Sequence, residues 1–264
     1  MRGSSGWMCP VSTWSGVAEA YRESFATLCG GTIERLLADT SGGHHLDVGS
    51  GTGALAARAA ALGRTVVAVD ADPDMVAMSK PVVPGCVVEG SLPHLPFNDD
   101  TFDAVTANFV INHVRDPRAA MRDLARVTRP GGRLAVTIWP AQTPEWALLV
   151  ADAFSAAGVV PMPGQRLSPE IDFERSVDGL RGLAESADLE ALTATGVTWD
   201  WEISVDALWG GIAGGVATVG QTFLAQTPDV KASAEREFRE ATEGLASDGI
   251  LRLSSTAVYV VAAA

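Results

Sequence analysis

From about residue 44 to residue 140 the chain alternates short β-branched runs with helical segments, and this order narrows the choice of fold more than any other feature. His45-Leu46-Asp47-Val48 is a short apolar run that ends at a glycine cluster. Ala54 to Leu62 is alanine-rich and stops at Gly63, a fitting residue for a helix C-terminus. Thr65-Val66-Val67-Ala68-Val69 is apolar throughout, as a strand covered on both faces should be. Asp72-Pro73 then supplies an N-cap with proline in the first turn, opening a helix through Met75 and Met78. Cys86-Val87-Val88 reads as a third strand and Phe102 to Ala107 as a fourth. Asp116-Pro117 repeats the cap signal for a helix to about Val127, with Ala120, Leu124 and Val127 on one face. Pro130-Gly131-Gly132 interrupts it, and Arg133 to Trp139 is the fifth strand. Strands separated by helices of this length pair in parallel through right-handed crossovers. The expectation is an open, doubly wound, mostly parallel α/β sheet.

Outside that stretch the pattern is looser. Helices are expected around Val17–Leu28 and Ile33–Ala38, and another from Glu145 to Ala157. A segment with Pro161, Pro163, Gly164 and Pro169 follows. Val197, Trp199, Trp201 and Ile203 alternate with polar residues, which fits a strand with one solvated face. Helical material is expected from Ala207 to about Leu245, and a last β-rich run from Ile250 to Val261. Gly210, Gly211, Gly214 and Gly215 suggest a hinge or a tight helix contact. Residues 141–195 and 207–247 are the candidate lid and substrate region.

Charge and cysteine content restrict the function classes. Nineteen Lys+Arg against thirty-two Asp+Glu leave a formal net charge of −13, so a nucleic-acid or acidic-lipid partner is disfavoured. No run of eighteen apolar residues escapes interruption, so no membrane span is expected. Met1-Arg2-Gly3-Ser4-Ser5-Gly6 has no apolar stretch behind it, which argues against a secretory signal. Cys9, Cys29 and Cys86 are scattered, with neither metal-ligand spacing nor a disulfide framework. A cytoplasmic protein without a metal centre is the simplest expectation.

The most informative segment is Leu46-Asp47-Val48-Gly49-Ser50-Gly51-Thr52-Gly53, after a strand and before a helix. That is where an open α/β sheet meets its ligand, at the carboxyl ends of the strands. Gly49-x-Gly51-x-x-Ala54 satisfies a dinucleotide-binding pattern, and Asp70 stands at the end of the next strand, placed to accept from a ribose diol. Asp47 separates the two readings. An anionic side chain ahead of the glycines suits a cationic ligand better than a pyrophosphate.

Five segments then occur in order: Asp47 to Gly53, Val69-Asp70-Ala71-Asp72-Pro73, Leu95-Pro96-Phe97, Phe102-Asp103-Ala104-Val105 and Arg129-Pro130-Gly131-Gly132. This series resembles the class I S-adenosylmethionine-dependent methyltransferases, in particular the ubiquinone/menaquinone-biosynthesis-like small-molecule group. The resemblance is sharp over residues 44–140. It implies a seven-stranded Rossmann-like sheet closed by an antiparallel hairpin, which Val197–Ile203 and Ile250–Val261 can supply. It further implies an N-terminal helical cap over 1–40, a cofactor-binding core over 41–140, and substrate helices plus edge strands over 141–264.

Carried over by position, Asp47 and the loop residues Gly49, Ser50, Gly51 and Gly53 would hold the methionine part of S-adenosylmethionine, and Asp70 the ribose. Ala71 and Met75 would flank the adenine, and Leu92 would offer its amide. Ser91 stands where the family usually has an acidic residue. Asn108 and Phe109 would line the methionine end, and Tyr21 would close over the cofactor. Simple turn, cap or core packing is the competing reading for Ser91, Tyr21, Met75 and Phe109.

Methyl transfer from a sulfonium is an in-line displacement with a pre-activated leaving group, so positioning matters most. A base is needed only if the acceptor must lose a proton. His113, after the fourth strand, is the candidate base, with helix capping near Asp116 as the competing role. Asn112 is a weaker candidate for orienting the acceptor. His44 and His45 fall at the wrong edge of the sheet, and His94 sits in a loop. Trp14, Trp139, Trp146 and Trp209 are candidate walls for a small, largely apolar methyl acceptor, or anchors for accessory helices. The rival functions are an NAD-dependent oxidoreductase and a cofactor-binding protein of this fold without methyl transfer.

Overall fold

The computed structural model describes residues 14–163 and 166–264, so Cys9, Gly164 and the Met1–Gly6 segment lie outside the described residues. Its centre is a seven-stranded sheet in the order β3-β2-β1-β4-β5-β7-β6. The strands are β1 (His44–Val48), β2 (Thr65–Asp70), β3 (Cys86–Glu89), β4 (Phe102–Asn108), β5 (Thr128–Ile138), β6 (Glu190–Ser204) and β7 (Ile250–Ala263). β1 to β5 pair in parallel, β7 runs antiparallel to β5, and β6 runs antiparallel to β7 at the edge. The doubly wound sheet and its C-terminal hairpin are as the sequence implied.

Helices cover both faces. The first set is α1 (Ala18–Glu23), α2 (Phe25–Gly30), α3 (Ile33–Asp39), α4 (Ala54–Ala61), α5 (Pro73–Ser79) and α6 (Pro117–Val127). The second is α7 (Glu145–Ala156), α8 (Val177–Glu185), α9 (Val205–Ala213), α10 (Ala217–Leu224) and α11 (Pro228–Glu243). On one face α6 and α8 bury Met121, Leu124, Val127, Leu180 and Leu183 against Leu46, Val105 and Leu134. Each such side chain contributes about 1.5–3 kcal/mol by leaving water. On the other face Leu36, Leu37, Leu55 and Ala59 pack on Val66, Ala135 and Tyr259. A third cluster joins α1, α2, α7 and α9–α11 to the outer halves of β6 and β7 through Trp201, Ile203, Leu251 and Leu253.

Four features differ from the sequence reading. The helix expected over Val17–Leu28 breaks at Ser24 (φ −126°, ψ −96°), whose hydroxyl donates back to the Ala20 carbonyl at 2.5 Å. The break turns α2 away from α1 so that both pack on α9, where an added Cβ on Gly211 would come within 2.3 Å of Ser24 Oγ and one on Gly214 within 2.4 Å of Ala20 Cβ. The glycines of α9 therefore mark a tight contact. Second, β5 begins at Thr128 and absorbs Pro130-Gly131-Gly132 in a register irregularity between the Phe102↔Thr128 and Ala104↔Arg133 pairs. Third, within 141–195 the helix α8 belongs to the covering layer of the sheet. Fourth, β6 starts seven residues before Val197 because β7 is long enough to pair with it down to Ala263.

Candidate functional site

The loop Gly49–Gly53 leaves β1 at the carboxyl edge of the sheet and delivers the chain into α4. Gly49 (φ +64°) and Gly51 (φ +53°) hold left-handed backbone that side chains resist. A Cβ on Gly49 would meet Val110 at 2.4 Å, so the tight turn and close packing both require glycine there. The loop is pinned from the sheet: Ser50 N donates to Val69 O at 3.0 Å, and Gly51 N to Asp70 Oδ2 at 2.7 Å. Asp70 Oδ1 accepts from Asp72 N at 2.9 Å, and Asp72 caps α5 by accepting from Asp74 N and Met75 N.

Asp47 is the unusual group. It is 1% exposed, its Oδ1 accepts from Thr106 Oγ1 at 3.0 Å, and its Oδ2 is buried without a hydrogen-bond partner among the described residues. Burial pushes its pKa up to about 7, with the Thr106 hydrogen bond opposing this, the nearby Asp70 charge adding to it, and the Ala56 amide opposing it from beyond good hydrogen-bond geometry. Asp70 is also raised, chiefly by burial. Asp70 thus lies close to Asp47, held by the Gly51 and Asp72 amides, and Ser50 Oγ is likewise unpartnered among the described residues. An unpartnered buried acceptor among acidic groups is expensive unless a cation or a donor arrives.

A cavity of about 40 Å³ lies over the loop, lined by Asp47, Gly49, Ser50, Gly51 and Asn108 below and by Tyr21, Ala26, Cys29 and Ile33 from the N-terminal helices above. Burial raises the pKa values of Tyr21 and of the Cys29 thiol, the latter to about 11. This space holds roughly one water molecule, so the cap sits closed over the loop. A groove of about 550 Å³ opens elsewhere, between Pro93–Phe97 and α6. Two of its charged lining residues are already engaged: Asp123 Oδ2 accepts from Leu95 N at 2.7 Å, and Arg126 Nη1 donates to Phe97 O at 2.7 Å.

Beyond β4 the chain forms an aromatic wall. Phe109 is buried with φ +59°, a left-handed non-glycine residue of the kind that gathers at functional sites. Its ring stacks on Trp139 at 3.8 Å and 13°. The 3-10 turn Ile111–His113 follows. Trp14 packs edge-on to both Tyr21 (5.4 Å) and His113 (5.1 Å), bridging the cap and this turn. His113 keeps an exposed edge and lies outside the lining of the cavity over the loop, while the protein around it lowers its pKa through desolvation. Water at that edge limits the depression, but both effects leave the ring neutral at neutral pH.

The structure therefore brings Tyr21, Asp47, Gly49, Ser50, Gly51 and Asn108 around one cavity. Gly53 stands just behind it as the left-handed N-cap of α4. Ala71, Ser91 and Leu92 lie outside that cavity, at the ends of β2 and β3, where Ala71 and Ser91 are exposed and Leu92 half-buried. Met75 is buried in α5. Asn108 spends its amide internally: Oδ1 accepts from Thr32 (2.8 Å) and Thr137 (2.5 Å), and Nδ2 donates to Cys29 O at 3.0 Å. Asn112 exchanges two hydrogen bonds with the Trp139 backbone, at 2.8 and 3.3 Å, which fixes the wall instead of leaving the amide free. Trp146 packs against Phe25 at 4.9 Å. Trp209 is buried between Phe223 and Phe238, each 5.1 Å away, as an anchor of the accessory helices. Sequence reading missed Cys29, Ala26 and Ile33 in the cavity wall. It also missed the clasp of residues 15–16 over α5, where Ser15 Oγ donates to Asp72 (3.1 Å) and Gly16 N to Asp74 (3.0 Å).

A family profile described as a methyltransferase domain matches residues 46–136, the stretch that carries the loop, Asp70 and the first five strands. The demethylmenaquinone methyltransferase of Mycolicibacterium vanbaalenii is 31% identical over 176 residues, covering 66% of this chain and 73% of that protein. The chain belongs to the class I S-adenosylmethionine-dependent methyltransferases, of the ubiquinone/menaquinone type. The Clavibacter sepedonicus demethylmenaquinone methyltransferase is 38% identical over 106 residues, 39% of this chain and 43% of that protein. The match thus spans less than half the length of that relative. In three dimensions the YcgJ protein from Bacillus subtilis covers 88% of this methyltransferase and 97% of its own chain, with TM-score 0.54 and 19% identity, a likeness of fold. The dinucleotide reading of the glycine loop is not favoured. Among the described residues no helix is long and apolar enough to cross a membrane.

Proposed function

We propose that the protein transfers the methyl group of S-adenosylmethionine to a small, largely apolar metabolite. The observation that carries this reading is Asp47 Oδ2, a buried acceptor without a partner among the described residues, at the mouth of the glycine turn. The ammonium of the cofactor's amino-acid end matches it in charge and in donors, whereas a pyrophosphate would be repelled by Asp47 and Asp70 together. The residues therefore fit the group. Bound there, the cofactor would supply an electrophilic sulfonium methyl.

In this reading the loop from Gly49 to Gly53 cradles the amino-acid end of the cofactor by its shape, since the amides of Ser50, Gly51 and Gly53 are already taken by Val69 O, Asp70 Oδ2 and Ser50 O. Asp70 has lone pairs beyond those used by Gly51 and Asp72, and these accept from the ribose hydroxyls. Met75 and Ala71 border the adenine, and Ser91 and Leu92 contact its edge. Tyr21, packed edge-on to Trp14, closes the amino-acid end. Residues 1–40 act as the cap, 41–140 as the cofactor core, and the remainder shapes the acceptor side.

Phe109, Trp139 and Trp14 form an apolar wall that excludes water and favours a flat or apolar acceptor. His113, neutral at working pH, would take the proton of a hydroxyl acceptor on Nε2 or Nδ1, while the bound cofactor would supply the methyl group and leave as S-adenosylhomocysteine. The demethylmenaquinone methyltransferases among the relatives point to a ring compound as one acceptor class to assay.

Calorimetry with S-adenosylhomocysteine tests the cofactor assignment. We expect micromolar binding and none of NADH. Asp70→Ala should weaken it by about 1–3 kcal/mol, the cost of leaving buried polar contacts unmade. No binding at high micromolar concentration rejects the reading, and unchanged affinity in the variant rejects the ribose role.

A further inference from the structure

Asp47 is reached along the sheet by a line of polar side chains that cofactor contact alone does not explain. His45 and Asp47 are two residues apart on β1 and share a face of the sheet. Thr106 stands directly opposite Asp47 in the β1–β4 register. All three are buried, at 0%, 1% and 0% exposure, where neighbouring strand positions carry Leu46, Val48 and Val105. At the far end, before β2, Arg64 donates from Nη1 to His45 Nδ1 at 2.9 Å and to Thr40 Oγ1 at 3.2 Å. Its Nη2 donates to the Leu37 and Thr40 carbonyls, each at 2.6 Å.

The direction of every bond follows from the first. A guanidinium only donates, so His45 Nδ1 accepts and the neutral ring carries its proton on Nε2. Nε2 lies 2.9 Å from Thr106 Oγ1 and donates to it. The hydroxyl proton is then free for an acceptor, and Asp47 Oδ1 at 3.0 Å is nearer than the Leu46 carbonyl at 3.5 Å. Burial and the Arg64 charge together keep His45 neutral, with a pKa lowered to about 3.

We infer that Arg64, His45 and Thr106 are positioning residues for the cofactor ammonium: their one-way chain of donation holds Asp47 by Oδ1 and turns Oδ2 towards the crevice. The inference rests on the cofactor reading above. Each link polarises the next, and a chain satisfied throughout is rigid where a lone buried carboxylate would be free to rotate. The other titratable groups facing Asp47 are Asp70 from β2 and, across the cavity, Tyr21 and Cys29 from α1 and α2. Both of the latter stay neutral near pH 7.

The test compares S-adenosylhomocysteine with 5′-methylthioadenosine, which lacks the amino-acid part, for wild type, Thr106→Val, Thr106→Ser and Arg64→Met. Thr106→Val keeps the side-chain volume and removes the donor. We expect it to weaken S-adenosylhomocysteine by roughly tenfold and to shift the pH midpoint of its binding upwards, with methylthioadenosine affinity within twofold of wild type. Thr106→Ser should restore both. Imidazole ¹⁵N shifts of the ligand-free protein should show His45 as the Nε2–H tautomer, with that preference lost in Arg64→Met. Equal losses for both ligands, an unchanged affinity and midpoint, or a wild-type His45 protonated on Nδ1 overturns the chain. Should Thr106→Val not fold, Arg64→Met and the tautomer decide. Wild type failing to bind S-adenosylhomocysteine would instead reject the cofactor reading itself.

Discussion

At the scale of single residues the role proposed for Asp47 would couple ligand binding to pH. Only its ionised form attracts an ammonium, and its pKa near 7 places the transition at neutral pH. S-adenosylhomocysteine affinity is therefore expected to fall below pH 7, approaching tenfold per unit, and calorimetry across pH 5.5–8.5 checks it. Asp47→Asn should bind weakly with the Asp47 component of that slope gone. The same group acts on stability with the opposite demand. Its folded pKa lies above the unfolded value of about 3.9, so the native state holds the extra proton between these values. Its contribution to stability therefore falls as pH rises through that window. Relative to wild type, Asp47→Asn should gain stability from pH 4 to pH 8 in urea melts; a constant difference contradicts the shift. Asp47 itself was legible in the sequence, because its meaning depends on the adjacent glycines. Its partners were not. Thr106 and His45 matter through the β1–β4 register, some sixty residues apart, and His45 alone looked merely misplaced.

At the scale of elements, the strand–turn–helix units were readable because their signals are local. Proline-led caps at Asp72 and Asp116, a glycine turn and β-branched runs each act within a few residues. Breaks imposed by tertiary packing were not. Ser24 splits a helix with neither glycine nor proline, because α9 offers glycines where α1 and α2 must both dock. The turn after β1 is the element with least tolerance. Gly49→Ala places a methyl 2.4 Å from Val110 at a φ of +64°, where strain and overpacking each cost about 1–3 kcal/mol. Chemical denaturation should show a loss in that range or larger together with lost cofactor binding. A variant as stable as wild type would mean that the turn adopts another shape. Asn112 illustrates a role that only the fold reveals, since its amide is consumed by the Trp139 backbone.

Across the whole molecule, the cofactor edge of the sheet is finished by segments far apart in the chain. The N-terminal helices lie over the glycine turn, and they rest in turn on α9 and the outer β6–β7 hairpin. Crevice shape therefore depends on a contact that touches no ligand. Gly214→Leu, whose Cβ would meet Ala20 at 2.4 Å, should displace α1. We expect it to weaken S-adenosylhomocysteine several-fold while the far-ultraviolet dichroism of the sheet core is retained; wild-type affinity would show that the cap does not set the site. The aromatic residues proposed to face the acceptor were the least legible, because they come from just past β4 and β5 and from the N-terminal segment, and no short motif encodes them. The decisive measurement is a crystal structure with S-adenosylhomocysteine bound. The ligand's ammonium is expected within hydrogen-bond distance of Asp47 Oδ2, with its ribose on Asp70. An ammonium held elsewhere, with Oδ2 still unpartnered, would contradict the central claim.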